Sequence, residues 1–449
     1  MRIQDGRTML WAGMLLGLLF GPGARVALPA EKKPNFVLIL ADDLGWGDVS
    51  FNGRTEWTTP NLDRLAARGT ILSRCYAAAP VCGPSRASIL TGKYTIHDGV
   101  RRNDQELPAE EVTIAEALRP RGYRNGLFGK WQRGKPRSGR TESVHPLDQG
   151  FDEFFGFTDS YDALEKFPAN LWRGRELVAV SGYIDDLITE AALDFLEQTK
   201  ERPFFLELAF LAPHFAIDAP KDEIARHRGR LPEADPALPL NATYAAMITR
   251  MDRSIGRLID VLDRLGLSEN TLVVFTSDNG ATFEFGNQGT SAALDSNRPL
   301  RGQKRTLWEG GIRVPGLVAW PGKIPSGKVS AENVHLTDLL ATLVAASGGI
   351  VDPSWRIDGA NLLPFLSGHG PAPRRTLFWE WQSEGGDQLA ALAGDLKLIV
   401  TRGGKPELYD VAADPAERRD LAATYPQQVK QLQSELRDWL ASSDPRGAE

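Results

Sequence analysis

Three apolar runs stop abruptly at polar residues, and this pattern limits the fold more than any other feature of the chain. Asn35-Phe36-Val37-Leu38-Ile39-Leu40 runs into Asp42-Asp43, Pro203 to Phe210 ends at Pro213-His214, and Thr271 to Thr276 ends at Asp278-Asn279. Short, continuous apolar runs of this kind read as strands buried on both faces of a parallel sheet. Helical signals lie between them. Thr59-Pro60 predicts a helix start with a capping hydroxyl, closed by Gly69, and Met251, Ile255, Leu258, Ile259 and Leu262 recur at helical spacing. Alternating strands and helices give an α/β fold with a mostly parallel sheet flanked by helices. In such sheets ligands bind at the carboxyl ends of strands, where the polar residues stand. One Asp pair could be a plain turn, but two acidic pairs and a histidine at equivalent places point to a shared site.

The pattern changes beyond about residue 350. Leu377–Trp381, Leu396–Val400 and Glu407–Tyr409 predict short antiparallel strands, and Gln427–Leu440 a terminal helix. The expected organisation is a catalytic domain over 31–349 and a smaller C-terminal α+β domain over 350–449. The N-terminus carries Arg2 and Arg7, an apolar stretch from Met9 to Phe20, then Gly21-Pro22-Gly23 and small residues to Ala30. That order predicts a signal peptide over 1–30, hence an exported protein, periplasmic or secreted, with an uncleaved anchor as the alternative. No later segment is long and apolar enough to span a membrane. With 58 acidic and 52 basic residues the net charge is −6, which argues against a nucleic-acid partner. The 2 cysteines, Cys75 and Cys82, could pair in an oxidising compartment, or Cys75 could be a small buried side chain.

Asp42, Asp43, Asp278 and Asn279 offer hard oxygen ligands, a set suited to Ca²⁺ or Mg²⁺ and poorly suited to zinc, with calcium favoured because carboxylates can fill most of its shell. Cys82 stands in Val81-Cys82-Gly83-Pro84-Ser85-Arg86. Pro84 suits the first turn of a helix, whose N-terminus favours anions, and Arg86 adds a planar cation one turn on. A free thiolate could act as nucleophile, although sulfur is an odd companion for an oxygen-bound cation.

This segment resembles the Cys-x-Pro-Ser-Arg signature of the type I, formylglycine-dependent sulfatases, within the alkaline phosphatase superfamily. Further stretches resemble the same family: Leu40-Ala41-Asp42-Asp43, Gly129-Lys130-Trp131, Ala212-Pro213-His214, Ser277 to Gly280, Arg301 to Lys304 leading to Glu309 to Pro315, His145 to Asp152 and Glu407 to Asp410. The resemblance covers roughly residues 33 to 440. It implies an alkaline-phosphatase-like core, one calcium ion on Asp42, Asp43, Asp278 and Asn279, and Cys82 matured to formylglycine by a formylglycine-generating enzyme. The hydrated aldehyde would contact the metal and attack sulfur. Arg86 and Lys130 would neutralise the sulfate and the nucleophile, and His214 and Lys304 would bind sulfate and protonate the leaving alcohol. The expected activity is hydrolysis of sulfate esters, on sulfated sugars of glycans.

One position departs from the family pattern. Gln132 stands where Gly-Lys-Trp-His is common, and glutamine cannot act as a base near neutral pH. His97 and His145 are the candidates to replace that histidine, each with an ordinary surface or core role as the alternative. Arg101, Arg102 and Trp172-Arg173 could line a sugar site. Two other readings stay open: a phosphodiester or phosphonate ester hydrolase on the same core, and a catalytically silent binder of sulfated glycans.

Overall fold

The computed structural model describes residues 32–133, 144–159, 164–382 and 386–443, except the side chains of Gln132 and Arg133. The expected signal segment and the Gln132 side chain therefore lie outside the described residues. Among the described residues no helix is long and apolar enough to cross a membrane.

Four parallel strands form the centre of a 10-stranded sheet, in the order Thr271–Ser277, Asn35–Asp42, Phe204–Pro213 and Arg124–Arg133. Every residue of Asn35–Asp42 is buried, as the unbroken apolar run requires. The pleat divides its side chains between two cores. Val37 and Ile39 pack with the helices Ile184–Thr199 and Leu240–Arg264, and Phe36, Leu38 and Leu40 pack on the other face with Asp338–Ala346. Outside the centre the sheet becomes mixed: Gly316–Ala319 runs antiparallel to Thr271–Ser277 on one side, and Asn170–Arg173 antiparallel to Glu153–Asp159 on the other.

The helix Pro60–Ala67 forms where Thr59-Pro60 placed it, but the Thr59 hydroxyl does not cap it. That oxygen accepts from the Ser50 amide at 2.9 Å. The helix amides of Asn61 and Leu62 donate instead to Asp252, at 3.1 and 2.8 Å, from the long helix packed alongside. A buried carboxylate supplied by tertiary packing thus replaces the local cap.

The C-terminal part holds a 4-stranded antiparallel sheet, Leu377–Trp381, Gln388–Ala393, Leu396–Thr401 and Glu407–Asp410, covered by the helix Pro426–Ala441. Cys75 and Cys82 are both free thiols, so they do not form the disulfide that export would allow. Cys75 lies buried against Thr276, and burial pushes its thiol up to about 12.

Candidate active site

The four central strands deliver their terminal residues to one place. Asp42 closes its strand and Asp43 follows with φ of 62°, a left-handed turn that sets the two carboxylates side by side. The neighbouring strand brings Asp278 and Asn279, and the Asp43 amide donates to Asp278 Oδ1 at 3.2 Å. Lys130 arrives on Arg124–Arg133, and His214 follows Phe204–Pro213. The turn into His214 is held by Asp185, whose carboxylate accepts from the Leu211 and Ala212 amides at 2.9 and 3.2 Å. Cys82 is the first residue of the helix Cys82–Thr91, whose N-terminal amides favour an anion beside it.

Three buried cations and a histidine interlock with the carboxylates. Lys130 Nζ lies 2.5 Å from Asp42 Oδ2, Arg86 Nε donates to Asp278 Oδ2 at 2.8 Å, and Lys304 Nζ donates to Asp43 Oδ2 at 2.9 Å. His214 Nε2 stands 3.7 Å from that same Asp43 oxygen. All ten residues, with Asn279, Asp185 and Cys82 among them, are buried. Burial would push Asp42 up, but Lys130, His214, Arg86 and Lys304 outweigh it and hold this carboxyl well below the usual range. Asp278 shows the opposite balance: burial and the Asp42 charge push it up to about 7 despite Arg86. Burial, reinforced by Lys304 and Lys130 against the pull of Asp42, holds the His214 imidazole well below its ordinary value and therefore neutral.

The donor set fits a hard divalent cation. Asp42 Oδ1 and Asn279 Oδ1 are buried acceptors with no hydrogen-bond partner. The Asn279 amide is oriented by two acceptors, Nδ2 donating to Asp43 Oδ1 at 2.7 Å and to the Gly280 carbonyl at 2.9 Å, so its oxygen is the free end. Ligand atoms of Asp42, Cys82 and Asp278 all lie within 4.8 Å of one another, as do those of Asp42, Asp43 and His214. Unpartnered buried oxygens among ionised carboxylates are costly unless a cation satisfies them.

The nine residues singled out in the sequence, Asn279 among them, thus converge. Others were missed. The Asn103 amide stands beside the thiol, its Nδ2 3.8 Å from Cys82 Sγ, while its Oδ1 accepts from the Gly83 amide at 3.0 Å. Lys166 is a buried lysine among Asp185, Asp42 and Lys130, which burial lowers to about 8. Glu207 is a buried carboxyl in the otherwise apolar strand Phe204–Pro213, and burial, offset in part by Arg86, pushes it up to about 7. An isolated polar letter in a loop or an apolar run carries no sequence signal of such a role.

The other candidates have different partners. His97 joins Asp358 at 2.8 Å and Ser442 at 2.9 Å, and His145 caps the turn Pro146–Asp148 and packs on Phe154 and Trp172. Arg101 pairs with Glu380, Arg102 with Asp104, and Arg173 lies over the Phe155 ring.

The comparisons with known proteins agree with this geometry. The sulfatase family model matches residues 34–350. The chain belongs to the sulfatase family. A second model, the C-terminal region of N-sulphoglucosamine sulphohydrolase, matches residues 302–444 of this sulfatase. It is 34% identical to N-acetylgalactosamine-6-sulfatase of Canis lupus familiaris over 431 residues, covering 87% of this chain and 74% of the relative. It is also 34% identical to Homo sapiens arylsulfatase A, covering 90% of this chain and 88% of that one. Among solved structures, Ps i-CgsB in complex with k-i-k-neocarrahexaose superposes with a TM-score of 0.82 at 29% identity, over 92% of this chain and 94% of that chain. The fold is accordingly that of the alkaline phosphatase superfamily, and the chain is a sulfatase.

Proposed function

We propose that this sulfatase hydrolyses sulfate esters of sugars, using calcium on Asp42, Asp43, Asp278 and Asn279 and a formylglycine made from Cys82. The observation that carries the reading is the placement of Cys82 at a helix start, its sulfur within 4.8 Å of oxygens of Asp42 and Asp278 that a buried arginine and lysine flank. The names of the relatives, an N-acetylgalactosamine-6-sulfatase among them, and the carrahexaose complex support a sulfated sugar as substrate. When present, the calcium ion supplies positive charge for the ester oxygens and the formylglycine supplies the attacking oxygen.

The chain's own residues prepare that reaction. Arg86 is anchored by Asp278, and its Nη2, 3.5 Å from Asp42 Oδ2, makes no hydrogen bond and so keeps donor capacity for a sulfate oxygen. Lys130 and Lys304 hold Asp42 and Asp43 in place while adding charge on two sides of the anion. His214 donates from Nδ1 to the Phe215 carbonyl at 2.5 Å, which leaves Nε2 facing the site. An anionic ester entering beside it favours the protonated imidazole, which then has a proton to give the leaving alcohol. The reading includes maturation by a formylglycine-generating enzyme and export, supported by the basic and then apolar stretch between Arg2 and Phe20.

The test is sulfate release from a panel of sulfated sugars, with calcium present and protein made in a host able to mature Cys82. Release that disappears in Cys82→Ala is the expected result. Undiminished release by that variant would remove the nucleophile, and an aldehyde confirmed by mass spectrometry without release from any sugar would remove the substrate class.

A further inference from the structure

The loop after Asn279 carries an aromatic side chain that the machinery above does not use. Phe285 is 98% exposed. Single exposed apolar side chains are ordinary on a surface, but the setting of this one is not. On one side Glu284 is held by Arg305 at 2.7 Å and lies 3.5 Å from Lys304, the lysine that donates to Asp43. On the other side Gly286 packs so closely on Phe215 that a Cβ would come within 2.5 Å of its ring. The Phe215 ring stacks on His214, with centroids 4.3 Å apart.

The loop is braced internally as well. The Thr282 hydroxyl donates to the Glu284 carboxylate at 2.8 Å and accepts from its amide at 3.1 Å. Asn287 is buried, with its side-chain oxygen accepting from the Ser291 amide at 2.7 Å. Backbone on both sides of Phe285 is thus tied to residues that touch Asp43 or His214, and the ring projects from this fixed stretch into solvent. A side chain forming the wall of a pocket would be covered in part by the facing wall. A ring exposed this far meets only what protrudes from the pocket.

We propose that Phe285 is a specificity-determining residue, a stacking platform for the sugar unit adjoining the sulfated one. The inference rests on the sulfated-sugar reading above. Its ligand is a pyranose that presents its C–H face to the ring. The adjacent Glu284 charge is already engaged by Lys304 and Arg305, so the contact is apolar and selects for a ring rather than for a second sulfate. Because the loop is held in place, stacking costs little ordering.

The experiment compares kcat and KM of wild type, Phe285→Ala and Phe285→Trp on a sulfated monosaccharide and on a disaccharide carrying that same sulfated unit. The unit is chosen from those that wild type desulfates. Phe285→Ala should raise KM for the disaccharide about threefold to tenfold at unchanged kcat, leaving both constants for the monosaccharide unchanged. Phe285→Trp should keep the low KM. An unchanged disaccharide KM, or an equal change on both substrates, overturns the platform while leaving the sulfated-sugar reading intact. Wild type that desulfates no sugar overturns that reading, and the platform falls with it.

Discussion

Glu207 sits in the strand Phe204–Pro213 at 3% exposure, with Oε2 buried and unpartnered. Burial is the main cause of its rise from 4.5 to about 7, and Arg86 only moderates it. The folded state therefore retains the proton over a range in which the unfolded chain has lost it, so stability falls as pH rises from about 4.5 to about 7. The full cost, up to about 3 kcal/mol, is present above that range. Glu207→Gln should accordingly be more stable than wild type at pH 8, with the advantage shrinking toward pH 5 in urea titrations. A gap that is the same at both pH values would show that this carboxyl does not titrate as described. Residues of this kind mark where sequence reading stops. Asp42, Asp43, Asp278 and Asn279 were legible because each pair interrupts an apolar run, and Cys82 and Arg86 because a proline and helical spacing join them. Glu207, Lys166 and Asn103 owe their importance to neighbours remote in the chain, and nothing local announces that.

Among the elements, the helix Pro60–Ala67 shows how a correct boundary can rest on the wrong partner. Its first amides are satisfied by Asp252, which is 2% exposed and also accepts from the Asn61 side chain at 2.8 Å. Asp252→Ala strands those donors and should lower stability by about 2 kcal/mol. Asp252→Asn, which keeps an acceptor, should cost less, and thermal unfolding of the two variants distinguishes them. Equal losses would mean that the aspartate acts through its charge and not as a cap. The central strands were readable because burial on both faces leaves an uninterrupted apolar run. The strand Gln388–Ala393 was not, because Gln-Leu-Ala-Ala-Leu-Ala is rich in helix formers, and pairing with Leu377–Trp381 and Leu396–Thr401 overrides that preference.

At the scale of the whole molecule, the site gathers three carboxylates and three cations at the centre of the fold. The Asp42 charge raises the cost of ionising Asp43 and Asp278, and Asp43 adds to it at Asp278. A cation that binds only the folded chain stabilises it by mass action, by about 2.7 kcal/mol at a hundredfold excess over Kd. Chelation should therefore lower Tm by roughly 2 to 5 °C, with recovery on adding calcium. A Tm indifferent to both would count against a calcium site here. A second charged knot lies at the seam between the large sheet and the C-terminal one. Lys397 reaches Glu309 at 2.8 Å and Glu417 at 3.1 Å, all three fully buried, and Tyr76 donates to Glu309 at 3.0 Å. Glu309 is made long before Lys397. Arg313, four residues on from Glu309 and 3.3 Å away in the fold, is its near counter-ion, and at roughly 5 to 20 residues per second Lys397 follows seconds later. The seam is thus sealed by charge from both of its sides, a near partner on the segment that follows Lys304 and a remote one from the C-terminal sheet.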